Sequence, residues 1–450
     1  MTPQPATTWR HQVFAMAAFV LPALALSTPS GYSWGGLLLC GLGLACGRAW
    51  PSAWQHPALR TWVLAVVLMG LLLGLDAWQT HPFKANTLDR PAKFVLALLA
   101  VPAVLAVTPT SVRALRWGLW VGALAAAGTA LWQLQVLQWT RAWGYTNAIH
   151  FGNLALLLGV WSWLWARQEK SWPHWLGMLA ALAGGYACIA SESRGGWWVA
   201  PVLVAGVFAL EHRRTPGADR AAPAGPQQGR YRVRWLLTVA ALLVLLGSQW
   251  HLVQTRASEA WQEVQLHQTT GASNNSIGQR LAHWKFAWHM GLAKPWTGWG
   301  EQGYQIEKNA QAEQGKVPRI LHEFEHAHNE WLDMWAKRGT LGVLVLVLFF
   351  ALPGQLYWRT WRRSSREAPD TPWQRAARTS ALCGLVMVAG YVGFGLTQVM
   401  FAHNAGTMMY LFMNLLWLAP IAQASAEQRH GNGEQAQREV DADPQANAGQ

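Results

Sequence analysis

The sequence has few charged residues and few cysteines, and both shortages restrict the class of protein. Only 13% of its 450 residues are charged, whereas 52% are hydrophobic, in apolar runs that recur from the N-terminus to about residue 424. This balance indicates a polytopic membrane protein. The four cysteines show no paired spacing, so they suggest neither a disulfide framework nor a thiolate metal site; they are Cys40, Cys46, Cys188 and Cys383.

Internal repeats at a fixed period are also missing, so the apolar runs are counted one by one. A requirement of roughly 17 to 25 mostly apolar residues per crossing predicts about twelve transmembrane helices. Their cores lie at 12–28, 33–49, 61–77, 93–109, 114–138, 148–166, 174–191, 195–211, 234–251, 339–358, 378–398 and 405–424. The predicted fold class is an all-α polytopic membrane protein.

The polar stretches divide this predicted helix bundle into parts. Residues 1–250 hold the first nine predicted helices together with a cytoplasmic linker at 212–233, and residues 339–424 hold the last three. Between them lies one large water-soluble segment, residues 251–338, which is called the insert below. The Gln- and Glu-rich residues 425–450 are predicted to form a disordered cytoplasmic tail.

The net charge of +13 is explained by membrane orientation and not by nucleic-acid binding. Lys and Arg concentrate in alternate short loops, and cationic short loops tend to stay in the cytoplasm. Examples are Arg213, Arg214, Arg230, Arg232 and Arg234. Both termini are therefore predicted to be cytoplasmic and the insert to be external, and no nucleic-acid partner is expected.

Two external arginines are candidates for binding a phosphate group. Arg194 stands beside Gly195 and Gly196, which allow a ligand close to the backbone, and Arg280 opens an amphipathic stretch in the insert. A guanidinium is a permanent charge with a planar set of donors that matches phosphate oxygens. Each also has a simpler interpretation, as an interfacial arginine for Arg194 and as part of a solvated helix face for Arg280.

A histidine-rich run in the insert allows two chemical interpretations. His322, Glu323 and His326 satisfy H-E-x-x-H, the pattern in which two histidines on one helix face bind zinc and the glutamate acts as a base. That interpretation predicts a membrane metalloprotease, although no third ligand is evident. A purely structural histidine cluster is a further alternative.

The other interpretation depends on His328 and Asn329, which follow in the same run. A neutral histidine at an outer membrane surface could accept the proton of a sugar hydroxyl as that hydroxyl attacks a substrate. A diphosphate leaving group would need positive charge nearby, which Arg194 and Arg280 could supply. Together these residues predict glycosyl transfer from a lipid diphosphate.

At this point the chain resembles the O-antigen ligase and polymerase superfamily. The resemblance depends on the order of several short motifs, with about twelve predicted spans and one large insert. The motifs are Arg280 with Leu281 and Trp284, Pro295 with Gly298 and Gly300, His328 with Asn329 and Leu332, and Gly339 with Gly342. Upstream, residues 144–152 are similar to the segment that opens a middle helix in the ligase branch.

The resemblance implies a GT-C type glycosyltransferase in the inner membrane of a Gram-negative bacterium. Such a ligase transfers a polysaccharide from undecaprenyl diphosphate to a sugar hydroxyl of the lipid A core, in the periplasm and among membrane lipids, with no metal or other cofactor. Carried over by position, His328 is the general base, and Arg194 and Arg280 bind the diphosphate. Possible accessory residues are His326, Arg141, Asn147, His150 and Asn329.

Other functions remain open at this level. A polymerase of the same superfamily would use a second lipid-linked glycan as acceptor, and a protein O-oligosaccharyltransferase would use a serine or threonine. The segment 147–152 favours the ligase. A transporter would carry ionisable residues deep within several spans, and these spans have almost none.

Overall fold

The computed structural model describes residues 8–82, 85–169, 172–212, 247, 250–270, 275–366 and 371–442. Within these ranges the chain is helical and contains no strand. The α-helices are α1 Trp9–Leu24, α2 Gly31–Ala45, α3 Trp50–Trp54, α4 Pro57–Trp78, α5 Asp89–Leu99, α6 Pro109–Leu131, α7 Ala148–Ala166, α8 Pro173–Ala190, α9 Arg194–His212, α10 Trp250–Thr270, α11 Ser276–Ala293, α12 Gly300–Glu313, α13 Glu330–Arg366, α14 Pro372–Phe394 and α15 Asn404–Ala442.

The predicted membrane protein is confirmed in its coarse form. Six helical stretches in the described ranges are long and apolar enough to cross a bilayer; they are Pro57–Trp78, Pro109–Val136, Ala148–Ala166, Glu330–Ser365, Pro372–Phe394 and Asn404–Asn432. Helices also lie at the other predicted cores that the structure describes. The core at 234–251 and the linker at 212–233 lie almost wholly outside the described residues. The number of twelve spans and the GT-C class remain predictions.

The predicted span at 93–109 is not one continuous α-helix. Helix α5 ends at Leu99, and a 3-10 helix, Val101–Ala106, follows it. Pro102 explains the break, because proline has no N–H to donate and disfavours α-helical geometry in the residue before it.

The C-terminal segment also differs from its prediction. Helix α15 continues to Ala442, beyond residue 425, where the sequence predicts the start of a disordered tail. Ala, Gln and Glu are strong helix formers, and adding residues to an existing helix avoids the cost of nucleation. Residues 443–450 lie outside the described ranges.

Burial distinguishes inner helices from outer ones. The apolar part of α15 is 100% buried and that of α7 is 94% buried, whereas that of α13 is 33% buried. Helix α7 packs against α8, α1 packs against α2 and α6, and α14 contacts both α13 and α15. The surfaces of α7 and α15 are therefore covered by protein, and much of α13 is left to face lipid.

A group of paired charges attaches the insert to the membrane helices. This charge network consists of Asp76, Arg90, Glu301, Asp333, Lys337 and Arg338. Arg338 Nη2 lies 2.5 Å from Asp76 Oδ2, and Glu301 lies 2.8 Å from both Arg90 and Lys337. Three positive and three negative groups balance one another, so the buried charges are compensated. The network joins α4 and α5 to α12 and α13.

Ion pairs join the ends of predicted spans at two separate places. Arg90 and Arg194, from predicted external loops, and Asp76, from the end of the predicted span 61–77, pair with residues of the insert. A second set of ion pairs joins other ends of predicted spans. Arg116, near the start of the span 114–138, pairs with Glu169, and Arg167 pairs with Glu211 at the end of the span 195–211. The predicted external segments therefore share one end of the helix bundle.

The motif glycines connect the insert to the start of α13. At Gly339 the backbone has φ 63° and ψ −162°, and a Cβ would lie 2.3 Å from the carbonyl carbon of Trp296. At Gly298 a Cβ would lie 2.3 Å from the carbonyl carbon of Lys337. The turn of residues 295–300 and the chain at 337–339 thus approach so closely that only glycine fits at either position.

We expect Gly339→Ala to lower stability by more than about 2 kcal/mol, because this backbone region is essentially restricted to glycine and the clash is with backbone atoms. Gly303→Ala is the matched control: a Cβ there has Trp299 Cβ as its nearest neighbour, at 3.7 Å. Alanine inside a helix should stabilise by about 0.5 to 1 kcal/mol. Thermal unfolding of the purified variants in detergent measures both. Equal melting temperatures for the two variants would contradict this account of Gly339.

Candidate active site

The segment that carries His328 is fixed in place on both sides. Asn329 caps α13, because its Oδ1 accepts the N–H groups of Trp331 at 3.0 Å and Leu332 at 3.1 Å. Its Nδ2 donates to the Leu396 carbonyl at 3.0 Å. Asn329 therefore holds the adjacent histidine in place. The sequence predicted only an unspecified accessory role for it.

His328 itself adopts a left-handed backbone conformation, with φ 51°. Such a conformation is uncommon for a residue with a side chain. The His328 N–H donates to His326 Nδ1 at 3.3 Å, so His326 helps to hold this conformation. Strain of this kind persists only where surrounding contacts maintain it, and it often marks a functional position.

The imidazole of His328 lies in a buried aromatic pocket. Its ring centroid is 4.5 Å from that of Phe324, 4.4 Å from that of His326 and 5.5 Å from that of His283. Nδ1 lies 3.2 Å from Gln398 Oε1. Nε2 is buried and has no hydrogen-bond partner among the described residues. One ring nitrogen is thus held by the protein, and the other is left to a ligand.

The electrostatic surroundings keep this ring neutral near pH 7. Burial, with the positive charge of Arg280, lowers the pKa of His328 to about 4, although the contact with Gln398 acts in the opposite direction. Burial and the nearby His328 lower the pKa of His283 to about 3. A neutral imidazole has a lone pair available, which a general base requires.

Three arginines line a pocket, and one of them, Arg280, is the residue whose charge acts on the His328 ring. This arginine pocket has a volume of about 280 Å³. Its lining residues are Thr140, Arg141, Ile149, Glu192, Ser193, Arg194, Ser276 and Arg280. The structure therefore brings the two arginines predicted to bind diphosphate into one cavity and adds Arg141, predicted only as an accessory residue.

Negative charge on α10 already compensates part of this pocket. Arg194 lies 3.4 Å from Glu259 and 3.5 Å from Glu263. Glu263 also accepts the Ile277 N–H at 3.0 Å, near the start of α11. Burial, together with the charges of Arg194 and Arg141, lowers the pKa of Arg280, yet a guanidinium stays charged at neutral pH. The pocket remains suited to an anion.

The predicted accessory residues Asn147 and His150 lie at the start of α7, where His150 packs against His403. Asn147 Oδ1 accepts the His150 backbone N–H at 2.9 Å and so caps α7. The His150 ring packs 4.2 Å from that of His403, and the His403 ring lies 5.6 Å from that of His326. His150 is fully buried, and its Nδ1 lies 3.0 Å from Asn147 Oδ1. These contacts connect the start of α7 to the histidine cluster around His328.

The zinc interpretation lacks the helix that it needs. The 3-10 helix that contains His322 ends at Glu323, and Phe324 is extended, with φ −130° and ψ 143°. His322 is exposed, whereas His326 is buried. The two histidines do not share a helix face, and within the described ranges no three His, Cys, Asp or Glu side chains are placed to hold a metal ion.

Three residues of the site had no role in the sequence interpretation. His283 lies one turn after Arg280 on α11, so both can face His328, and this i to i+3 spacing was a usable signal. Lys308 donates to the Phe324 carbonyl and steadies the histidine segment. Gln398 comes from a distant loop, and no local pattern indicates it.

Comparison with known proteins adds an independent observation. Residues 178–347 match the model of a family described as O-Antigen ligase. This range contains Arg194, Arg280 and His328. The match confirms the resemblance that the motifs indicate. The chain is also 22% identical over 346 residues to an uncharacterized protein of Haemophilus influenzae, with 74% of this chain and 79% of that protein covered.

Proposed function

We propose a function from the premise that this chain is a member of the O-antigen ligase and polymerase superfamily, as the O-Antigen ligase match over residues 178–347 supports. It is an integral membrane protein, and its family implies a glycosyltransferase-like enzyme. Within that class we assign it the ligase reaction. The donor is O-antigen polysaccharide on undecaprenyl diphosphate, and the acceptor is a sugar hydroxyl of the lipid A core.

The observation that carries this proposal is that Arg280 both lines the arginine pocket and acts on the neutral ring of His328. His328 Nε2 is free of protein hydrogen bonds, and the charge of Arg280 acts directly on the same ring. A base for a hydroxyl and a binding site for an anionic leaving group are thus linked through Arg280. Glycosyl transfer from a lipid diphosphate needs both.

In the proposed reaction the acceptor oxygen attacks the anomeric carbon of the donor as its proton passes to His328 Nε2. A bond forms between the acceptor oxygen and the anomeric carbon, and the bond from that carbon to the diphosphate oxygen breaks. Arg194 and Arg280 stabilise the charge that develops on the diphosphate, and Arg141 adds a third positive group. Direct attack inverts the anomeric centre. Undecaprenyl diphosphate leaves, and His328 returns its proton to solvent.

The proposed location follows from the loop charges. Short loops rich in Lys and Arg predict that both termini are cytoplasmic. The site lies at the end of the helix bundle that holds the predicted external loops and the insert. The active site is therefore assigned to the periplasmic face of the inner membrane.

Reconstitution tests the reaction. Purified protein is combined with lipid-linked polysaccharide and, separately, with lipid A core, with a second lipid-linked repeat unit, or with a protein acceptor. We expect transfer to the lipid A core, unaffected by a chelator. Elongation of the lipid-linked glycan would instead support the polymerase, and modification of the protein acceptor would support the oligosaccharyltransferase. Loss of activity with EDTA and its return with zinc would favour the zinc site at H-E-x-x-H over metal-free transfer.

A gene deletion separates the ligase from the polymerase in cells. Loss of ligation should leave lipid-linked polymer accumulating, with no polymer on the core. Loss of polymerisation should leave single repeat units on the core. Electrophoresis of the extracted lipopolysaccharide distinguishes the two patterns.

We expect an unusual pH dependence of the transfer. The base must be unprotonated, and burial and Arg280 lower the pKa of His328 to about 4, so kcat/KM should stay level from neutral pH down to about 5 and fall only below it. Bound diphosphate adds negative charge near the ring, which raises its pKa, so kcat should decline at a higher pH than kcat/KM. A decline of kcat/KM near pH 6.5, the value for an exposed histidine, would contradict this environment for His328.

A further inference from the structure

Two distant segments meet at the proposed base. Residues 328–330 and residues 395–401, called the 395–401 loop below, are joined by several hydrogen bonds. The Glu330 N–H donates to the Gly395 carbonyl at 2.7 Å, and the Glu330 carboxylate accepts the Phe401 N–H at 3.1 Å. With the bond from Asn329 to Leu396, these contacts fix the loop against the histidine segment.

Gln398 occupies the centre of this loop and is 2% exposed. Its Oε1 accepts the Val399 backbone N–H at 3.1 Å. A backbone N–H can only donate, so the atom that meets it must be the amide oxygen and not the amide nitrogen. The orientation of the Gln398 side chain is thereby defined.

The same oxygen lies 3.2 Å from His328 Nδ1. An amide oxygen only accepts, so Nδ1 must carry the hydrogen in this contact. In a neutral imidazole one nitrogen carries the proton and the other is the acceptor. The lone pair must then be on Nε2, the nitrogen with no partner among the described residues.

We propose that Gln398 is a positioning residue that holds His328 in the tautomer with a basic Nε2 and aims that nitrogen at the acceptor hydroxyl. This inference rests on the proposed function, because it concerns the same base. Gln398 does not touch substrate. It acts through His328, and its carbonyl dipole stabilises the imidazolium that forms when the proton is taken.

The charged and titratable groups that face the His328 ring also influence its pKa, so they matter for a test that measures pH dependence. Arg280 and His283 approach from α11, His326 comes from the same segment, and His403 comes from the chain just before α15. None of these side chains is negatively charged. A carboxylate introduced at residue 398 would therefore be a new negative neighbour of the ring.

The test compares Gln398→Glu with Gln398→Met in the full-length protein in membranes. Gln398→Glu keeps an acceptor for both hydrogens and adds a negative charge. Its transfer activity should remain measurable, with the acid limb of the pH–rate profile moved up by about one pH unit or more. Gln398→Met keeps the length of the side chain and loses the acceptor. We expect kcat to fall about 10- to 100-fold, with KM for the lipid-linked donor nearly unchanged, since the arginine pocket is intact.

Controls separate positioning from simple packing. Gln374→Glu, near the start of α14 and away from the site, adds the same charge and should leave the pH profile unchanged. If Gln398→Met fails to fold, Gln398→Glu still tests the proposal through its pH profile. An unshifted acid limb in Gln398→Glu, or full kcat in Gln398→Met, would overturn the role of Gln398.

The outcome for His328 distinguishes this proposal from the proposed function. If His328→Ala is inactive while Gln398→Glu shows an unshifted profile, only the positioning role fails. If His328→Ala retains full activity, the base assignment itself fails, whatever the Gln398 variants show.

Discussion

His328→Ala should reduce transfer by about 10²- to 10⁴-fold while leaving membrane insertion intact. The reason is that Nε2 of this residue is the proposed proton acceptor, and alanine offers no replacement. The segment is held by the Asn329 cap, by the hydrogen bond from Lys308 to Phe324 and by the ion pairs of the charge network. None of these contacts uses the His328 imidazole. Transfer of labelled polysaccharide by purified protein measures the effect.

His322→Ala is the matched control for this prediction. Both substitutions remove one histidine from the same run, but His322 is exposed and lies outside the buried cluster. We expect it to retain nearly full activity. If His322→Ala were inactive and His328→Ala active, the zinc interpretation would regain its support and the assignment of the base would be wrong.

Arg280→Lys should lower transfer by about 10²-fold or more, although it keeps the positive charge. A guanidinium can donate two parallel hydrogen bonds to phosphate oxygens, and an ammonium cannot reproduce that geometry. Its charge also lowers the pKa of His328, so Arg280 influences both parts of the site. Steady-state kinetics with lipid-linked donor test the prediction.

Lys285→Ala provides the comparison on the same helix. Lys285 is exposed, and it lies outside the arginine pocket. Removing its charge should change transfer little. Similar activities for Arg280→Lys and Lys285→Ala would show that α11 contributes only general positive charge, which would refute specific diphosphate binding by Arg280.

Much of the architecture was accessible from the sequence. Apolar runs reflect the thickness of the bilayer directly, so helices lie at nearly all the predicted cores that the structure describes. The break at Pro102 and the extension of α15 to Ala442 differ because they depend on local helix propagation, which a count of apolar residues does not measure. The roles of Arg194, Arg280 and His328 stay proposals that the geometry supports.

Other parts of the site could not be read from any local pattern. Gln398 is 70 residues from His328. In the charge network that holds the insert, Arg338 likewise pairs with Asp76, a residue much earlier in the chain. The i to i+3 spacing of His283 from Arg280 indicates that the two share a face of α11, but not what that face contacts. Its burial beside His328 depends on how α11 packs against the histidine segment.

The sequence by itself determined that the chain enters a membrane repeatedly, that one long polar insert stays outside the apolar spans, and that arginine and histidine stand in motifs of a glycan-transferring superfamily. These properties follow from composition and from short spacings along the chain. Only the tertiary structure decided which nitrogen of His328 is free, which arginines share one pocket and which charges compensate one another. Each of these depends on contacts between residues far apart in sequence, since burial and pairing set the protonation and orientation of a side chain.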